Sequence, residues 1–142
     1  MVETLTRRRV DICGIQEVRW RGGSARLLTG MNSRYKLYWM GNQAGTGGVG
    51  ILLAEKWIDK VFDIARVSDR ILVMKICIDK VILNIISVYD TQSGLDSSDK
   101  DAFYNDLHSV VSRISSQEKL FICGDFNGHI GCAAEANAIR RA

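Results

Sequence analysis

The amino-acid sequence predicts a layered α/β fold, and three observations predict it. Apolar, β-branched runs of strand length recur along the chain, and one later segment, Asp101 to Ile114, places its apolar residues at helical spacing instead. Three of the strand-like runs, Val10 to Glu17, Val81 to Tyr89 and Leu120 to Asn127, finish in polar groups. Ligands of layered α/β proteins sit outside the carboxyl ends of the strands, so Glu17, Tyr89, Asp125 and Asn127 become candidates for one cleft.

The elements follow in order. Val2 and Leu5 are spaced as in the end of a helix that feeds the first strand, Val10 to Glu17. Arg19-Trp20-Arg21-Gly22-Gly23 is a loop by composition, whose arginines and indole could meet phosphates or bases, or whose indole could cover the edge of the core. Tyr35 to Met40 is a short aromatic strand, and the glycine-rich stretch Gly41 to Gly48 leads into a strand over Val49 to Ala54. Gly45, Gly47 and Gly50 match the spacing of a dinucleotide fingerprint, but that motif must open a helix, and here a strand follows with no phosphate-loop lysine. Glycines that let the chain turn and let another backbone approach are the better reading, and no nucleotide cofactor is expected.

Val61 to Val67 is a further strand. Ile71 to Ile78 and Val81 to Tyr89, parted only by Asp79-Lys80, form an antiparallel hairpin, although Asp-Lys is a weaker turn than Asn-Gly. Ser97 or Ser98 can cap the helix in which Phe103, Leu107, Val110, Val111 and Ile114 share a face and acids lie towards the N-terminal end. The last strand is Leu120 to Asn127. Residues two apart on a strand point the same way, so Asp125 and Asn127 share a face while Phe126 turns to the other.

Composition bounds the function. The 142 residues, 46% hydrophobic, suit one domain with its own core. No apolar run approaches the roughly 20 residues of a membrane span, and Arg7-Arg8-Arg9 followed at once by Asp11 lacks the apolar core of a signal peptide, so an intracellular protein with no membrane partner is expected. Cys13, Cys77 and Cys123 sit in apolar strand-like runs and, with Cys132, form no Cys-x-x-Cys, so reduced thiols are expected. Net charge is +3 but uneven: residues 1–36 hold eight Lys or Arg against three acids, or +5, and the remainder 11 against 13, or −2. A basic segment beside a carboxylate site suits a polyanion such as DNA, and it is also what a solvated surface looks like. There is no proline, so boundaries rest on glycine and polar clusters.

Two carboxylates and a carboxamide are hard oxygen groups that suit Mg²⁺, or Mn²⁺, better than zinc or copper. Mg²⁺ keeps most of its waters and binds one or two carboxylates plus substrate phosphates, which points to phosphate ester chemistry. His108 falls on the solvated side of the helix, and His129 with Cys132 lacks the second ligand pair of a zinc site. Acids and amides at strand ends also cap turns, which is the plain alternative for each of the four candidates taken singly.

Ile-Gln-Glu at 15–17, Gly-Val-Gly-Ile-Leu-Leu at 48–53, Ile-Ile-Ser-Val-Tyr at 85–89 and Gly-Asp-Phe-Asn at 124–127 together resemble the endonuclease/exonuclease/phosphatase superfamily, and most of all the apurinic-type endonuclease domain of non-LTR (LINE-like) retrotransposons. The resemblance implies a four-layer α/β sandwich of two facing mixed sheets over residues 1–131; the small, alanine-rich composition after Asn127 gives a poorly ordered tail at 132–142. It implies Mg²⁺-dependent phosphodiester cleavage, with a DNA-nicking endonuclease as the principal reading. In that pattern Glu17 ligates the metal, and Asp125 orients or deprotonates the attacking water and can share the metal. Asn127 holds the phosphate or that water, and Tyr89 stabilises the transition state. Arg70, Arg19 and Arg21 are candidates for contacts with the nucleic-acid backbone.

Departures from the pattern set two alternatives. Members begin with an Asn-bearing strand and finish in Ser-Asp-His or its like; this chain is expected to start after the first and stop before the second, leaving the sandwich incomplete. Asp90 and Thr91 stand where a small residue and proline usually follow the motif tyrosine, which adds a carboxylate. Without its acid-base histidine the chain could be an inactive remnant that binds nucleic acid or a protein, or that self-associates through unpaired sheet edges. Within the enzyme class, phosphoinositide, sphingomyelin or RNA substrates are the other reading. Action on DNA would place the protein in the nucleus, and otherwise it would be cytoplasmic.

Overall fold

A computed structural model describes residues 1–90 and 97–127. The elements are helix α1 (Val2–Arg7), strands β1 (Ile12–Gln16), β2 (Gly23–Thr29), β3 (Arg34–Met40) and β4 (Val49–Ala54), a 3₁₀ turn (Glu55–Lys60), strands β5 (Val61–Ser68), β6 (Ile71–Ile78) and β7 (Val81–Tyr89), helix α2 (Ser97–Ser112), and strand β8 (Lys119–Asp125). One sheet has the order β1-β4-β3-β2 and the other β5-β6-β7-β8. The first is antiparallel throughout; the second is mixed, because β7 and β8 pair in parallel after the α2 crossover. The expectation of two mixed sheets therefore holds for only one of them among the described residues.

Alternation along the strands builds four layers. Odd-numbered residues of β4, Val49, Ile51 and Leu53, face Leu72, Met74, Ile76 and Ile85 in the core between the sheets. Leu52 and Ala54 turn the other way, onto Val2 of α1 with Tyr35 and Leu37. On the far side, Ile71, Val73, Ile86 and Val88 receive Phe103 and Leu107 of α2. Strands β4, β6 and β7 thus carry apolar residues on both faces, and β4 is buried at every position. Phe103, 1% exposed, fixes α2 to the outer face of the second sheet.

Several boundaries differ from the sequence expectation. The sequence pattern does not announce β2: Gly-Ser-Ala-Arg-Leu-Leu-Thr is a half-exposed strand, at the edge of its sheet among the described residues, that gains its conformation by pairing with β3 and not from its own β propensity. The 3₁₀ turn is likewise unforeseen, and α2 already includes Ser97. The β6–β7 hairpin forms as expected, with Asp79 and Lys80 both in the left-handed region (φ 49° and 68°), as a two-residue primed turn requires. The glycine-rich segment after β3 is a turn into antiparallel β4, not the start of a helix. Cys13 and Cys123 are partly buried free thiols, whereas Cys77 is exposed. His108 is solvated on α2. His129, Cys132 and the tail lie outside the described residues.

Candidate active site

β1, β7 and β8 place their ends together because β1 packs across the inner face of β7 and β8. A Cβ on Gly14 of β1 would lie 2.4 Å from Cys123 Sγ on β8 and 3.3 Å from Ser87 Oγ on β7. Only a glycine lets the strands approach so closely. Burial holds the Cys123 thiol above its ordinary value, with Cys13 adding to the effect.

Glu17 follows β1 directly. Its φ of 52° turns the chain out of the strand, a conformation that costs a non-glycine residue roughly 1–2 kcal/mol. Strained backbone of this kind persists where surrounding contacts hold it. The contacts here are Val18 N–H on Gly48 O (3.3 Å) and Arg19 N–H on Gly47 O (2.7 Å), so the glycine-rich turn supports the loop that presents Glu17. Arg19, with φ 58°, then curls back to donate from Nη2 to Glu17 Oε2 at 2.7 Å.

Tyr89 ends β7 and donates its hydroxyl proton to Glu17 Oε1 at 2.9 Å. Hydrogen bonds from Arg19 first and Tyr89 second hold the Glu17 carboxyl below the usual range. The same bond to Glu17 raises the Tyr89 phenol, with burial and the nearby Asp125 charge reinforcing it. Tyr89 is therefore a neutral donor at physiological pH.

Asp125 ends β8 directly beside Tyr89 in the parallel register. Its Oδ1 accepts the Asn127 N–H at 2.8 Å, an Asx turn that sets Asn127 in the left-handed region (φ 42°). Gly124, at φ 149°, precedes it, and a Cβ there would lie 1.9 Å from Val88 O. Asp90 ties both residues down: its N–H donates to Asp125 O at 2.8 Å and its carbonyl accepts from Asn127 Nδ2.

The structure thus brings together Glu17, Tyr89, Asp125 and Asn127, the four residues that the strand endings select. It treats the three arginines differently. Arg19 and Arg21 lie in the exposed loop, Arg19 engaged with Glu17. Arg70 is turned inward, its side chain 18% exposed: Nη1 is 3.7 Å from Asp90 Oδ1, Nη2 donates to Asp99 O at 3.1 Å, and the guanidinium lies over the Phe103 ring at 5.1 Å. Trp20 packs edge to face on Trp39, 4.8 Å between centroids, at the rim of the core.

Asp90 is the residue whose part sequence reasoning did not foresee beyond its being an extra carboxylate. It is 4% exposed, and burial raises its carboxyl against the opposing pull of Arg70. The signal that points to it is an acid at the end of an apolar strand with an arginine at the turn before the neighbouring strand. No three His, Cys, Asp or Glu side chains converge among the described residues, so a closed cage for a soft metal is not built. Mg²⁺ asks for less, one or two carboxylates plus water and phosphate, and Glu17 with Asp125 fits that demand.

Residues 1–132 match the sequence pattern of the Endonuclease/Exonuclease/phosphatase family. The chain is similar to craniofacial development protein 2 of Bos taurus, 24% identical over 131 residues that cover 91% of this chain and 21% of that protein. Its counterpart in Tragulus javanicus is likewise 24% identical, with 22% of its length covered. The chain therefore spans about a fifth of the length of these curated relatives. Two solved structures share its fold. The endonuclease domain of TRAS1, a telomere-specific non-LTR retrotransposon, aligns at a TM-score of 0.56 and 16% identity, covering 89% of this chain and 51% of that one. An endonuclease/exonuclease/phosphatase family protein from Leptotrichia buccalis C-1013-b aligns at 0.58 and 16%, covering 97% and 62%.

Proposed function

Because the chain belongs to the endonuclease/exonuclease/phosphatase family, we propose that it is a Mg²⁺-dependent phosphodiesterase, and specifically a DNA-nicking endonuclease domain of the retrotransposon kind. The observation that carries this reading is the bond from Tyr89 Oη to Glu17 Oε1, which joins the carboxylate of one sheet to the donor of the other beside Asp125. The fold shared with the TRAS1 endonuclease domain and the basic first quarter of the chain support DNA as the substrate. Action on DNA would place the protein in the nucleus.

Each residue has a task in this reading. Asp125 orients the attacking water and accepts its proton. Asn127, held by Asp90 and the Asx turn, fixes the phosphate or that water. Tyr89 transfers its hydrogen bond from Glu17 to a non-bridging oxygen as negative charge builds there, and one well-placed donor of this kind is worth roughly 3 kcal/mol. Glu17, with Asp125, would hold Mg²⁺, which supplies positive charge to the same oxygens.

Plasmid nicking in Mg²⁺, with and without chelator and with Glu17→Ala as control, tests the proposal. Nicking that is lost in chelator and in Glu17→Ala is the expected result. Nicking that survives either one removes the metal role. A second reading is favoured by a specific observation, that Arg19 and Tyr89 already occupy both oxygens of Glu17: the chain then binds nucleic acid without cutting it. Gel retardation with no nicking at any Mg²⁺ or Mn²⁺ concentration would select it.

A further inference from the structure

We propose that Trp20 is a stacking platform for an unpaired base of the strand engaged at the Glu17 site, so that the favoured ligand carries an unpaired stretch and is not an unbroken duplex. The inference rests on the reading of that site as one for nucleic acid, and goes beyond it in naming the form of the strand.

Trp20 stands three residues after Glu17, in the loop between β1 and β2. Three steps along a chain span at most about 11 Å, the length of a few nucleotides. Trp20 is 37% exposed although its ring packs on Trp39, at 4.8 Å between centroids and 82° between planes. In an edge-to-face pair the second ring covers at most one face of the first, so Trp39 leaves at least one face of Trp20 uncovered.

The loop is pinned on both sides of the ring. Arg19 N–H donates to Gly47 O at 2.7 Å, Gly41 N–H to Gly22 O at 2.8 Å, and Trp39 Nε1 to Arg21 O at 3.5 Å. A Cβ on Gly41 would lie 1.7 Å from Trp20 O, so glycine lets the turn after β3 close against this loop. Asn42 fixes that turn in its own right, accepting from Thr46 N–H and donating to Thr46 Oγ1, both at 3.1 Å. Arg66 of β5 holds the strands beneath, donating from Nε to Trp39 O and from Nη2 to Ser24 O, both at 3.1 Å. An aromatic ring held in place beforehand loses little freedom when a ligand lies on it.

Charge selects the partner. From residue 18 to residue 54 the chain holds Arg19, Arg21, Arg26, Arg34 and Lys36 and no acid. Arg34 is paired with Glu55, but Arg21 and Arg26 are exposed. Arg26 lies opposite Leu37 in the ladder, two residues from Trp39, and so shares its face of the sheet. Cations that follow phosphates, with an aromatic ring among them, are what a single strand requires. A base inside a duplex has both faces stacked already, so only an unpaired one can lie on the indole.

Binding of the full chain to three DNA ligands in Mg²⁺, with phosphorothioate linkages that resist cutting, tests the proposal. The ligands are a duplex interrupted by a short unpaired stretch, the same duplex fully paired, and the interrupted duplex with abasic sugars in the stretch. The first should bind about tenfold more tightly than the other two, Trp20→Ala should abolish that preference, and Trp20→Phe should keep most of it. The salt slope should be the same in Trp20→Ala, since stacking releases no counterions. An interrupted ligand of RNA is run alongside, and a preference shown with either sugar supports the platform. Iodouracil in the unpaired stretch, photolysed on the unaltered chain, should crosslink to Trp20, which covers the case in which the alanine variant does not fold. A crosslink elsewhere overturns the proposal, as does a Trp20→Ala variant that weakens all three ligands by one factor, which would make the indole a prop for its loop. Equal binding of the three ligands overturns the stacking alone, whereas binding of none overturns the nucleic-acid reading with it.

Discussion

The hydroxyl of Tyr89, at the end of β7, donates to Glu17 Oε1 at 2.9 Å, and this bond reaches from one sheet to the other. It joins two groups whose titration destroys it from opposite directions, protonation of Glu17 at low pH and ionisation of Tyr89 at high pH. The Glu17 carboxyl lies below its ordinary 4.5, through Arg19 and then Tyr89, so its contribution to stability is present above pH 4.5 and is lost as pH falls through the lower folded value. The Tyr89 phenol lies above its ordinary 10.0, through Glu17, so its contribution is present below pH 10.0 and is lost as pH rises through the higher folded value. Tyr89→Phe should therefore lower the melting temperature by a constant amount across the neutral range, with the gap from the unaltered chain closing below pH 4.5 and above pH 10.0. Melting curves at a series of pH values read this directly; a gap that persists at both extremes would show that the bond contributes nothing.

Arg19 competes with any cation for Glu17, since its Nη2 is 2.7 Å from Oε2. Arg19→Ala frees that oxygen without touching the bond from Tyr89. Under the proposed function it should tighten Mg²⁺ binding several-fold, as surface ion pairs are worth up to about 1 kcal/mol. Titration calorimetry of both forms would measure it, and weaker binding in the variant would mean that Arg19 organises the site instead.

Arg21 and Arg70 should separate contact with nucleic acid from support of the fold. Arg21 lies in the exposed loop, so Arg21→Ala should reduce the slope of log affinity against log salt for DNA by about 1. Arg70 is committed to Asp90, Asp99 and Phe103, so Arg70→Ala should leave the slope unchanged while costing about 1–3 kcal/mol in urea unfolding, because it strands the buried Asp90 carboxylate. Salt titrations that assign the phosphate contact to Arg70 would contradict the inward orientation.

Gly124→Ala should be among the costliest small substitutions in the chain. The added Cβ would meet Val88 O at 1.9 Å, backbone against backbone, in a conformation that side chains rarely adopt. A loss of about 2 kcal/mol or more is expected from the forced separation of β7 and β8. Urea denaturation gives the number, and a neutral result would mean that the strand end can shift freely.

The strand endings were legible in the sequence because one physical rule governs them: an apolar run that stops at a polar group marks where a sheet meets solvent. Glu17, Tyr89, Asp125 and Asn127 follow that rule, and the structure assembles them. β4 and β6 were equally plain, since strands buried on both faces must be apolar throughout or nearly so. β2 escaped because its conformation comes from its partner β3, and no local pattern records a partner. The direction of Arg70 escaped for a related reason. An arginine at a turn reads as exposed, and only the juxtaposition of Asp90, Asp99 and Phe103 from later segments draws it inward.

The parallel pairing of β7 with β8 also orders events in time. Every other adjacent pair in the two sheets is antiparallel, and β5, β6 and β7 each follow directly in sequence. β8 must wait for the chain to cross its sheet through α2, as β1 must wait for β4 in the other sheet, and contacts that close long loops form late. On the ribosome, Glu17 and Tyr89 emerge well before Asp125 does, so a growing chain can fold much of both sheets while Asp125 is still unmade or undocked. If the domain cuts DNA as proposed, its chemistry switches on only once β8 docks, and the first turnover then reports that β7 and β8 have paired.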